Sequence, residues 1–110
     1  MGYMAHHAIV VVSWNLQDIA RARDEAKSVG MAVSDIVVSQ MNGERSFMVA
    51  PDGSKEGWTE SDDGDAQRDR FIAWLNGQRH SDGSTNLRWA EIVMPENKPA
   101  TVCRCDRSAS

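Results

Sequence analysis

At 110 residues the chain has the length of one domain, since two cores of half that size would each be marginal. Its 41% hydrophobic and 25% charged residues are those of an ordinary globule, and no apolar run approaches the roughly 18 residues that a membrane span needs. A net charge of -4, from 12 Lys and Arg against 16 Asp and Glu, argues against nucleic-acid binding, and the signs are too interspersed for the field of a DNA mimic.

Ala8-Ile9-Val10-Val11-Val12 is a β-branched run that predicts a buried central strand over Ala5 to Ser13. It is too short for a secretory core and follows no basic region, so the expected location is cytoplasmic. Asn15 offers an N-cap with Asp18 three residues on. Leu16, Ile19, Ala20, Ala26 and Val29 then recur near helical spacing until Gly30, which predicts a helix from Leu16 to Val29.

Met31 to Gln40, rich in Val and Ile, reads as a second strand. Asn42-Gly43, the dipeptide of a tight type I′ turn, leads into a third at Arg45 to Ala50. A long polar connection, Pro51 to Trp58, continues into the acidic run Glu60, Asp62, Asp63 and Asp65; long loops in small domains commonly serve function. Asp62, Asp63 or Asp65 is expected to cap a second helix carrying Phe71, Ile72, Trp74 and Leu75 and ending near Asn76. Leu87 to Met94 reads as a fourth strand ended by Pro95, which closes the domain near residue 94. In the tail, Thr101 to Cys105 either adds a short edge strand or frays.

The order strand, helix, strand, strand, helix, strand predicts an α+β fold of ferredoxin-like β-α-β-β-α-β type, an antiparallel sheet with two helices on one face. Strands one and three are expected to be central and parallel. Their C-terminal ends would then form one rim with both helix N-termini, where Trp14 and the polar loop meet. Strand one is apolar on both alternating sets, so the sheet face away from the helices should be an interface, covered by a homodimer partner or by the tail.

Candidate contacts at that rim are Trp14, Asn15, Asp52, Ser54, Lys55 and Trp58, with Asp62 of the adjoining acidic run. Flat aromatics, amide and hydroxyl groups and a cation suit a nucleotide or other anionic small molecule, whereas the same residues could simply anchor a loop. Asp62, Asp63, Asp65 and Asp69 lack the alternation of a calcium loop and look like solvated helix charge. Cys103 and Cys105 are too close for an unstrained disulfide and lack the companions of a two-thiolate metal site. No metal or cofactor is expected. His6 and His7 face opposite ways on a strand, and no Ser or Cys has a nucleophile context, so catalysis has no support. Trp74 and Trp89 fit the core.

Met4-Ala5-His6-His7-Ala8, Asn42-Gly43, the segment Pro51 to Trp58, Ser61-Asp62 and the helix Arg68-Asp69-Arg70-Phe71-Ile72-Ala73-Trp74-Leu75-Asn76 together resemble short proteins of tailed bacteriophages and prophages. The likeness runs from Met4 to about Met94 and omits the Cys-containing tail. The group carries no assigned activity, so the resemblance implies a viral genomic context and transfers no catalytic residue. It also implies Met4 as a natural start, with Met1-Gly2-Tyr3 an extension. The leading expectation is a non-enzymatic module that binds a host or phage protein through the open sheet face and acidic loop. The alternatives are a nucleotide sponge at the Trp14 and Trp58 rim, and a small hydrolase.

Overall fold

β1 (Tyr3–Ser13) is the axis of the structure, because its β-branched residues pair along both edges. This computed structural model describes residues 3–53, 55, 56 and 58–107, with no description of the side chains at positions 3, 55 and 56. After β1 come α1 (Leu16–Ser28), β2 (Val37–Val38), β3 (Arg45–Val49), β4 (Lys55–Glu56), α2 (Thr59–Asn76), β5 (Arg88–Pro95) and β6 (Thr101–Cys105). Five strands form an antiparallel sheet in the order β2-β3-β1-β5-β6, and β4 adds a short pairing with Tyr3 and Met4 of β1. The fold is α+β of the ferredoxin-like type, with β6 as an extra edge strand.

β1 and β3 are not parallel, as expected from the sequence, but antiparallel, with Ile9 opposite Val49 and Ser13 opposite Arg45. The reason is topological. A hairpin makes β3 antiparallel to β2, and β3 lies between β2 and β1, so the helical crossover that returns β2 parallel to β1 leaves β3 running against both.

Asn15 caps α1 as its sequence suggests, its Oδ1 accepting the Asp18 N–H at 3.0 Å. Gly30, at φ 97°, turns the chain out of the helix. α1 buries Ile19, Ala22 and Ala26, while Leu16 points outward. The run from Met31 to Gln40 is not one strand. Val33 bridges Val49 and Val37–Val38 pair with β3, but the ladder breaks between them. There the Ser34 hydroxyl accepts the Met48 N–H at 2.8 Å, and the Ser34 carbonyl turns to accept Arg23 Nε of α1 at 2.7 Å.

Asn42-Gly43 does not form a two-residue type I′ turn, which needs positive φ at both residues. Only Gly43, at 73°, is left-handed, and Asn42 uses its side chain to accept the Glu44 N–H at 3.1 Å. The bond from Ser39 N–H to the Glu44 carbonyl, 2.6 Å, closes a four-residue connection instead.

α2 begins before the aspartates expected to cap it. Trp58 holds the N-cap position without a side-chain cap bond, and the Asp62 N–H already bonds the Trp58 carbonyl at 3.2 Å, so Asp62, Asp63 and Asp65 lie inside the helix. The buried stripe of α2 is polar and small at first (Ser61, Gly64, Arg68) and apolar afterwards (Phe71, Ile72, Leu75). That second half joins Ile9, Val11, Phe47, Val49 and Trp89 of the sheet and Ile19, Ala22 and Ala26 of α1 in the core. These sheet residues all lie on one face, so both helices cover the same side. The Phe71 ring lies 6.2 Å from Trp74, stacked, and 6.5 Å from Phe47, tilted.

Candidate functional site

The antiparallel register takes apart the rim expected from the sequence. Trp14 and Asn15 follow the C-terminal end of β1, whereas the loop before Trp58 pairs through β4 with Tyr3 and Met4 at its N-terminal end. Nine residue steps of strand separate the two, about 30 Å. Trp14 is exposed, and Asn15 is committed to its cap. Asp52 lies 3.9 Å from Arg68, Trp58 is half-exposed at the start of α2, and Asp62 is exposed in its first turn. Ser54 and the Lys55 side chain lie outside the described residues. Among the described residues, Trp14 and Trp58 lie at opposite ends of β1, too far apart to line one pocket.

The face of the sheet away from the helices is apolar, as the alternation in β1 implies. Ala8, Val10 and Val12 of β1 stand opposite Ile92, Ala90 and Arg88 of β5, and Val10 also stands opposite Met48 of β3. Val102 of β6 pairs with Ile92 and is 59% exposed; Met48 and Met94 are also exposed. Val10, Val12, Ala90, Val102 and Cys105 line a shallow depression of about 350 Å³ here. Arg88, at its margin, is paired with buried Asp106, which anchors the chain after β6 by accepting the Trp89 N–H. Among the described residues both helices lie on the other side.

The helix side of the sheet holds a second group, around Glu91. This carboxylate is 1% exposed. Arg104 spans it, with Nε 2.6 Å from Oε1 and Nη2 3.2 Å from Oε2, and reaches Asp69 of α2 at 2.8 Å with Nη1. Arg68 Nε approaches Oε2 at 3.5 Å and is itself paired with Asp65. A buried carboxylate needs such partners, since an isolated charge in a core costs several kcal/mol. His7 Nδ1 lies 3.3 Å from Oε2 without the alignment of a hydrogen bond, and it is buried with no other partner among the described residues.

Cys103 stands beside this group. Between Glu91 and Ile92 the β5–β6 register slips, pairing Glu91 with Arg104 and Ile92 with Val102, so that Cys103 is the extra residue of a bulge. The bulge brings its sulfur to the His7 and Glu91 side of the sheet, while Cys105 lines the apolar depression on the other. The two thiols therefore face apart, and no disulfide joins them. Burial and then the Glu91 charge push the Cys103 thiol upward, the reverse of what a nucleophilic cysteine requires.

Sequence reasoning missed the Glu91 group because its members lie on three strands and α2, which only the strand register and the packing of the helix bring together. The one available signal was an ionisable residue at an inward position of β5, alternating with Trp89. Comparisons with protein-family models, with curated proteins and with solved structures returned no match for this chain. Among the described residues, no helix is long and apolar enough to cross a membrane.

Proposed function

We propose that the protein is a non-enzymatic binding module of phage or prophage origin whose working surface is the open face of the sheet, with a second copy of the chain packed back to back on it. The observation that carries this reading is the apolar character of that face, from Met48 through Val10 and Ala90 to Val102. Its cation, Arg88, is already neutralised by Asp106, so the face presents little field to select an oppositely charged partner and suits a copy of itself. The five strands β2-β3-β1-β5-β6, two to eleven residues long, together offer roughly 500 Å² per copy, and the roughly 1,000 Å² total reaches the lower bound for a specific interface. The dimer would turn its helices and the exposed acids at the start of α2, Glu60 and Asp62, outward toward a host or phage protein.

Light scattering coupled to size exclusion tests the surface. The expected mass at micromolar concentration is twice 12.2 kDa, falling to 12.2 kDa for Val102→Glu, an exposed position where a charge spares the fold. A wild-type monomer, or a Val102→Glu dimer, would contradict the proposal.

A further inference from the structure

We infer that His7, Glu91 and Cys103 form a binding site for a single zinc ion on the helix side of the sheet, near its β6 edge. One donor atom from each residue lies within 4.8 Å of the other two. The set offers imidazole nitrogen, carboxylate oxygen and thiolate sulfur, a mixture that suits zinc; calcium and magnesium take oxygen alone, and copper(I) prefers softer ligands. Zinc bonds of about 2.0–2.3 Å put tetrahedral donors roughly 3.3–3.8 Å apart; His7 Nδ1 and Glu91 Oε2, 3.3 Å apart, already meet that spacing, and the Cys103 sulfur has at most about 1.5 Å to close. Cys103 is exposed and can supply that movement by changing rotamer.

Three separate features converge on the site. The bulge is the first: in unbroken register Cys103 would stand opposite Ile92 and face the open side of the sheet, and the single inserted residue turns its sulfur toward His7 and Glu91. The second is His7 Nδ1, shielded from solvent yet without a hydrogen-bond partner among the described residues, as befits a nitrogen reserved for a ligand. The third is Arg104, whose fork holds both Glu91 oxygens, Nε on Oε1 at 2.6 Å and Nη2 on Oε2 at 3.2 Å, and so fixes the carboxylate with Oε2 3.3 Å from His7 Nδ1, in the manner of a residue that supports a metal ligand.

The guanidiniums do not forbid a cation. Arg68 is paired with Asp65 and approached by Asp52, and Arg104 is paired with Asp69, so with Glu91 the carboxylates outnumber the guanidiniums by two. Binding forms a Zn–S bond as the thiol proton leaves to solvent, and three protein ligands leave the fourth position open to water or a further ligand.

The test is a zinc titration of the full chain against a chromophoric chelator, repeated with cobalt(II) to read thiolate-to-metal charge transfer. One equivalent should bind with a thiolate band. Cys103→Ser and His7→Gln should each weaken binding at least roughly tenfold, the smallest penalty expected for a direct ligand when a supporting partner alone costs 10–100-fold. Cys103→Ser should also abolish the band. Cys105→Ser and His6→Gln, on the other face of the sheet, should change nothing. The site is overturned if zinc does not bind saturably at one equivalent, if Cys103→Ser binds as well as wild type, or if Cys105→Ser or His6→Gln costs as much.

Discussion

Glu91 sits at the inward side of the sheet, where its neighbours Ile9 and Trp89 are core residues, and Arg104 and Arg68 are what make its carboxylate tolerable. Glu91→Gln keeps the shape but leaves Arg68, only 7% exposed, short of one counter-charge, and should destabilise the fold by about 3 kcal/mol. In a domain of this size that lowers Tm by more than about 10 °C, read by thermal unfolding; a shift of a degree or two would mean that the cluster contributes little. Asp18 behaves differently, because its partners favour its charged form. Asn86 donates to it at 2.8 Å and Arg21 at 2.6 Å, and together they hold its carboxyl below the ordinary value of 3.8. A lowered folded value means that this stabilisation is fully present above pH 3.8 and is lost as pH falls through the folded value. Asn86→Ala should raise the Asp18 titration toward its ordinary value and cost about 1 kcal/mol at neutral pH, measured by carboxyl NMR and denaturant unfolding. At Gly43, φ 73° with open space around the missing Cβ confines the cost of Gly43→Val to backbone strain, about 1–2 kcal/mol, and an unchanged Tm would contradict the turn geometry.

At the scale of elements, α2 shows why one helix carries two kinds of buried face. Its second half packs Phe71, Ile72 and Leu75 into the core, while Gly64 in its first half lies against the Asp52 side chain, where a Cβ would fall well inside contact distance of Oδ2. Alanine in place of a helical glycine ordinarily stabilises by about 1 kcal/mol. Here Gly64→Ala should destabilise, and adding Asp52→Gly should recover part of the loss, a non-additivity that a double-mutant cycle in denaturant would detect; simple additivity would mean the contact is not real. The elements themselves were legible where a local rule governs them. The β-branched run of β1, the Asn15 cap and the Gly30 stop each follow from neighbouring residues, whereas Thr101–Cys105 was open between an edge strand and a fraying tail until its pairing with β5 decided it. Ser34 was not legible, because its hydroxyl takes the Met48 N–H only once β3 is beside it. The start of α2 was also misread, since three aspartates look like caps whether they precede a helix or fill its first turns.

Across the whole molecule, strand direction decides which residues can form a site. The expected order of elements is the observed one apart from the short β4, yet running β3 against β1 sends Trp14 and Trp58 to opposite ends of the sheet, while the pairing of β5 with β1 and the bulged pairing of β6 with β5 draw His7, Glu91 and Cys103 together. No periodicity in the chain encodes either outcome. The apolar open face, by contrast, was legible from β1 alone, because Ala8, Val10 and Val12 alternate with the core residues Ile9 and Val11. Whether that face is where two copies meet is tested most directly by isotope-filtered NOE spectroscopy on a mixture of labelled and unlabelled chains, which records only contacts between copies. The account predicts intermolecular contacts among the Met48, Ile92 and Val102 side chains and none from Leu16 or Trp74 on the helical side. Contacts confined to the helices, or none at concentrations where the protein is pure and folded, would contradict it.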